Sequence, residues 1–231
     1  MTSSSNPGRS TILLFTWAAG SVDAITYLSA HVFTANMTGN TVLLGIAASQ
    51  AKAEPVVSSL LALIAFVVGA ILGALAVGEG ESASAAAAVR RAVWMETVIL
   101  AFFAMSAFAP AALSLRAIVL LMIGSSGLAM GLQSAAVRRL KLPGIATTYI
   151  TGTITSLFSG MVHGLRRRTG THAETTTLGL KRSMSLQAEV FLSYAVAAGI
   201  TAALHVRWPS AVGLVPFCAL IAVDISLARR S

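Results

Sequence analysis

Charge is what this chain has least of. Only 10% of its 231 residues are Asp, Glu, Lys or Arg, against roughly 25% in a soluble domain, while 56% are apolar. A soluble fold of this length could not hide so much apolar surface behind so few charges, and disorder and coiled coils are excluded on the same ground. Cysteine is nearly absent: the single Cys218 sits in an apolar run and cannot form an internal disulfide. Aromatic residues are only 6% of the chain, and no basic strand or helix interleaves them, so the net charge of +8 has no stacking platform for nucleic acid. No His, Cys and carboxylate group has metal-ligand spacing, and no cofactor motif appears. What remains is an integral membrane protein of the all-α class, with the lipid bilayer as its first partner.

Apolar runs long enough for a bilayer are what the chain does contain. A hydrocarbon core of about 30 Å takes roughly 20 residues of helix, and six runs qualify: 11–30, 55–77, 92–113, 115–137, 187–205 and 210–228. Asp23 interrupts the first run and the preceding basic segment is weak, so that run reads as a retained span rather than a cleaved signal. Two further stretches are unusual. Residues 37–50 are short and open on Thr38-Gly39-Asn40, and residues 144–164 are crowded with Gly, Thr and Ser. Runs of 10–14 residues mark re-entrant segments more often than crossings.

Basic blocks discriminate between the two topologies. With eight spans and a cytoplasmic N-terminus, ten of the sixteen Lys and Arg residues face inward. With six spans and two re-entrant stretches, thirteen do, leaving Lys52, Arg116 and Arg207 outside. The positive-inside rule prefers six. Both arrangements place both termini in the cytoplasm.

The two unusual stretches resemble one another. Asn36-Met37-Thr38-Gly39-Asn40-Thr41 is echoed by Tyr149-Ile150-Thr151-Gly152-Thr153-Ile154, Gly20-x-x-Asp23-Ala24 by Gly131-x-x-Ser134-Ala135, and Ala53-Glu54 by Ala188-Glu189. A cytoplasmic tail (1–10) would then precede two membrane repeats, 11–113 and 114–231. With three crossings in each, the repeats are inverted copies; with eight spans they are parallel copies.

Irregular backbone at membrane depth survives only where protein or a watery cavity surrounds it. Gly39 and Gly152 permit a break, and Thr38, Asn40, Thr151 and Thr153 are residue types that cap helix starts. Two such starts facing each other would offer bare N–H groups and positive dipole ends to a small polar or anionic solute. Asn36, Thr148, Gln133 and Ser134 complete the expected site. Asp23, a carboxylate inside a span, is the expected proton coupler or solute contact, against the plainer reading of a structural hydrogen bond to another helix.

The other polar residues read as structural. Glu54, Glu96, Glu189 and Asp224 fall near span ends, within reach of Lys52, Arg90, Arg182 and Arg229, and are expected to form interfacial ion pairs. His163 and His205 are expected at the interface. Gly69/Gly73 and Gly127/Gly131 are small-xxx-small pairs that let helix backbones approach, within one chain or in a homo-oligomer. Gly124-Ser125-Ser126-Gly127 with His163 is the faint outline of an intramembrane serine hydrolase, the weakest of the functional readings. A non-transporting scaffold, with Thr-Gly segments that only pack, is the main alternative to a carrier or channel.

Gly20-Ser-Val-Asp23-Ala-Ile-Thr-Tyr27-Leu with Phe33-x-x-Asn36-Met37-Thr38-Gly39-Asn40, and Gly131-Leu-Gln133-Ser-Ala-Ala with Ala146-Thr147-Thr148-Tyr149-Ile150-Thr151-Gly152-Thr153, resemble the YoaK-like family of bacterial membrane proteins. The resemblance spans essentially the whole chain. It implies a multi-pass protein of the bacterial inner membrane and implies no activity. Where that family often has Asn, this chain has the shorter Ser134.

Overall fold

In the computed structural model of the chain, residues 7–78, 82–106, 114–139, 150–167 and 174–228 are described. Among them there are eight helices and no strands: α1 (Pro7–Ala30), α2 (Met37–Ser49), α3 (Ala53–Val77), α4 (Ser82–Ser106), α5 (Leu115–Arg139), α6 (Ile150–Arg167), α7 (Glu174–Arg207) and α8 (Leu214–Ala228). Each corresponds to one of the eight stretches read from the sequence. Four of them, α1, α3, α5 and α7, are long and apolar enough to cross a membrane; α8 is apolar but only 15 residues long, and α4 carries Arg90, Arg91 and Glu96.

The core belongs to four helices. Phe15, Val22 and Ile25 of α1, Val93, Leu100 and Phe103 of α4, Met130 of α5, and Leu220 and Val223 of α8 form one buried cluster. Outside it, α3 lies along α5 and α7 along α1, while α2 rests on α3 and α6 on α7. The outward sides are apolar: Ile64, Val67, Ile71 and Leu75 of α3 are more than half exposed, a surface suited to lipid and not to water.

Side-chain and glycine contacts give the helix directions. Gly127 lies against Ala62 and Ala65, Gly131 against Phe66 and Ala70, and Gly73 against Leu132 and Ala135, so α3 and α5 run parallel. Arg9 meets Glu189, Ser193 donates to the Leu13 carbonyl, and Thr201 donates to Ser21, so α1 and α7 are parallel too. By contrast α1 and α5 are antiparallel. Gln133, late in α5, donates to the carbonyl of Phe15, early in α1, whereas Val32, just beyond α1, clusters with Ala62 of α3 and Ile123, early in α5. Gly213 touches Ala104 near the end of α4, and α8 runs back along α4 from there.

The α3–α5 seam is as close as backbones allow. A Cβ on Gly131 would lie 2.1 Å from the Phe66 carbonyl oxygen, and one on Gly69 would lie 2.0 Å from that of Leu128. Glu54 and Arg116 pair at 3.3 Å across the starts of the two helices, both largely exposed. The small-xxx-small pairs therefore pack helices within one chain. Gly131→Ala should destabilise the protein by about 1–3 kcal/mol through overpacking. Gly152→Ala, where a Cβ meets nothing within 4 Å, should change stability by less than about 0.5 kcal/mol. Thermal unfolding in detergent compares the two; equal losses would contradict the seam.

A carboxylate-held break between α1 and α2

The chain does not leave the bundle when α1 ends. His31 takes a left-handed conformation (φ 55), and residues 31–36 fold back against α1. The agent is Asp23, seven residues before Ala30 and so about 10 Å back along the helix. Its Oδ1 accepts the backbone N–H groups of Thr34 and Ala35, both at 2.7 Å, and its Oδ2 accepts the N–H of Asn36 at 3.1 Å. From α7 the Tyr194 hydroxyl donates to Oδ2 at 2.5 Å. With Asp23 only 3% exposed, four donors take the place of water around a charge that would otherwise be very costly to bury.

Two amides finish the break. Asn36 is the N-cap of α2, its side-chain oxygen accepting the Gly39 N–H at 3.3 Å. Asn40, fully buried, takes the Phe33 N–H on its Oδ1 at 2.8 Å and returns its Nδ2 to the Phe33 carbonyl. The Phe33 ring stacks on Tyr27 at 4.9 Å and lies where a Gly39 Cβ would be, at 2.9 Å. Two expectations are thereby corrected. The break lies at 31–36 and not at Thr38-Gly39-Asn40, because the carboxylate holds the loop and α2 is already helical from Met37. Gly39 is small to admit the Phe33 ring, and Asn40 pins the loop from inside the helix instead of capping it.

Of the remaining expected site residues, Thr38 is exposed at the start of α2. Gln133 is buried against α1 and Ser134 is half-buried beside it in α5. Gly152 is exposed near the start of α6. Thr148 and the side chains of Thr151 and Thr153 lie outside the described residues. The structure gathers Asp23, Asn36, Gly39 and Asn40 into one assembly. Among the described residues the main packing of α2 is on α3 and that of α6 is on α7.

Neighbouring helices supply two of the acids with arginines: Glu189 pairs with Arg9 of α1 and accepts from Ser185 at 3.2 Å, and Glu54 pairs with Arg116 of α5. The side chains of Arg182 and Arg229, the expected partners of Glu189 and Asp224, lie outside the described residues. Glu96 is fully buried with both carboxylate oxygens unpartnered. Asp224 is half-buried, with Oδ1 buried and unpartnered. Nδ1 of His205, in the last turn of α7, is also buried without a partner. In the Gly124–Gly127 string, Ser126 is buried and donates to the Met122 carbonyl at 2.5 Å, back into its own helix; the side chain of His163 lies outside the described residues. Sequence reasoning missed Tyr194. Its one signal was a hydroxyl beside Ser193 in an otherwise apolar stretch.

Residues 11–226 match the family described as protein of unknown function (DUF1275). The chain belongs to this family. A relative is the UPF0700 transmembrane protein YoaK of Bacillus subtilis (strain 168), 43% identical over 151 residues, which is 64% of this chain and 65% of the relative. The match thus spans slightly less than two thirds of that protein's length. No solved structure matches the chain significantly. Membership agrees with the resemblance carried by the Asn-Met-Thr-Gly-Asn string and with a multi-pass membrane protein.

The saturation of Asp23 makes its removal informative. Asp23→Asn replaces an acceptor by an NH2 group facing backbone donors and should cost about 2–4 kcal/mol, whereas Tyr194→Phe removes one hydrogen bond to a charged group and should cost about 1.5–3 kcal/mol. Thermal unfolding of the two single variants and the double variant checks this. Strictly additive losses would mean that the two groups do not interact.

Proposed function

We propose that the protein is a membrane carrier or channel for a small polar or anionic solute, with six crossings and two re-entrant helices, α2 and α6, in inverted halves. The observation that carries the reading is the placement of α2. Its first turn begins beside Asp23, about 10 Å back along α1 from Ala30, so its N-terminal dipole end points into the membrane interior, where it favours negative or polar groups.

Three features support the inverted arrangement. α1 and α5, which open the two halves, are antiparallel. Exchanging α1–α4 with α5–α8 turns each main packed pair into another: α3 on α5 becomes α7 on α1, α2 on α3 becomes α6 on α7, and α4 on α5 becomes α8 on α1. The charges agree as well. Arg9, Arg90, Arg91 and Arg138 belong at one end of the bundle, and Lys52, Arg116 and Arg207 at the other. The first end is then cytoplasmic, with both termini, in the inner membrane of a bacterium.

In this reading each half supplies its own helix start. Thr38 and Gly39 present α2, and Thr148, Thr151, Gly152 and Thr153 present α6, while Gln133 and Ser134 stand on α5 where Asp23 stands on α1. Asn36 and Asn40 shape the break. Asp23 couples protons through the loop and not through the solute, because its oxygens are already engaged. A proton on the carboxyl weakens its hold on the N–H groups of Thr34–Asn36 and frees the loop to move. The same saturation favours a second reading, a scaffold in which the break only packs.

Single cysteines at positions 38 and 151 in a Cys218→Ser background separate the readings. A small water-soluble thiol reagent should modify position 38, about tenfold faster at low pH than at neutral pH, and Asp23→Asn should abolish that pH dependence. Protection of both positions at every pH would overturn the carrier reading in favour of the scaffold.

A further inference from the structure

Glu96 lies apart from the break held by Asp23. It sits midway along the buried stripe of α4 that contains Val89, Val93, Leu100 and Phe103, it is 0% exposed, and both its carboxylate oxygens lack partners. Among the described residues, the helices packed on α4 offer it no cation at its own level. On α3 the one titratable residue is Glu54, in the first turn. On α5, Arg116 stands near the start, and Arg138 stands near the end, beyond Ala136, which clusters with Ala92 of α4. Arg90 and Arg91 of α4 itself are exposed, a turn or more nearer the same end. A carboxylate so placed would be an unpaired charge in an apolar interior.

The titratable group that α8 brings is Asp224. Gly213, just before α8, lies against Ala104, and Asp224 follows by one helical turn Leu220, which is buried in one cluster with Val93, Leu100 and Phe103 of α4, so it lies on that side of α8. Glu96 lies eight residues back from Ala104 along the antiparallel neighbour. The two positions thus fall within about 5 Å, or one turn, of each other along the common axis. Asp224 is half-buried with an unpartnered oxygen inside, and α8 ends only four residues later, at Ala228.

We propose that Glu96 is a proton-binding site within the membrane and that Asp224 connects it to the end of the bundle that carries Arg90 and Arg91. Glu96 holds its proton while α4 and α8 are packed. On release the O–H bond of Glu96 breaks, a new one forms on an Asp224 oxygen, and the negative charge passes back to Glu96. Asp224 then gives the proton to water beyond α8. Buried ionisable groups without partners mark proton pathways in membrane bundles. The site uses α4 and α8, so it stands or falls independently of the break held by Asp23.

Infrared spectroscopy of the full chain in lipid vesicles tests it, with the proton and deuteron as probes. At neutral pH the protein should show the carbonyl stretch of a protonated carboxyl. Glu96→Gln should remove this band and Asp23→Asn should leave it. In deuterated buffer the band should shift as the proton exchanges, and Asp224→Asn should slow that shift tenfold or more. Absence of the band, its survival in Glu96→Gln, or no exchange at all would overturn the site, and exchange unchanged in Asp224→Asn would overturn the path. Should Glu96→Gln not fold, an apolar carbodiimide on the unsubstituted protein serves instead. A protonated carboxyl adds across its C=N bond, its proton passing to nitrogen, and peptide mass analysis should find the adduct on Glu96; an unlabelled Glu96 would sink the proposal.

Discussion

One carboxylate organises the middle of this protein. Asp23 takes three backbone N–H groups from residues 34–36 and the hydroxyl of Tyr194. Without those bonds the loop would leave bare amides in an apolar interior, which neither lipid nor packed side chains can satisfy. Without the loop, the buried carboxylate would have one donor in place of four. Each makes the other tenable. The depth of α2, the stacking of Phe33 on Tyr27 and the tie between α1 and α7 all follow from this exchange of hydrogen bonds.

Helix directions carry the larger consequence. α1 and α3 run antiparallel, with α2 between them in sequence and packed on α3, so the end of α1 and the start of α3 lie at the same end of the bundle. The parallel α3–α5 seam, built from glycines that admit backbone contact, fixes α3 against α5. Small residues here do what apolar burial does in water, because lipid gives helices no hydrophobic reason to associate.

The acids of this bundle divide by their surroundings. Asp23 has its donors supplied by folded-back backbone, Glu189 has Arg9, and Glu96 has nothing. A carboxylate with four donors can stay ionised, whereas one with none must be neutral or be expelled.

Much was legible without coordinates. Membrane class, the eight apolar or half-apolar stretches and the oddity of 37–50 follow from composition, run length and the period of apolar residues, which are local properties. The echo of Gly20-x-x-Asp23 in Gly131-x-x-Ser134 was visible as well. Partners were not. That Asp23 faces a loop eleven residues ahead and a tyrosine 171 residues away, that Glu54 meets Arg116 and Glu189 meets Arg9, and that Glu96 meets no one depend on which helices lie side by side. Sequence spacing names a residue's neighbours on its own helix, while the bonds that decide whether a buried charge is a clasp or a proton site come from other helices, and only the tertiary structure brings those within reach.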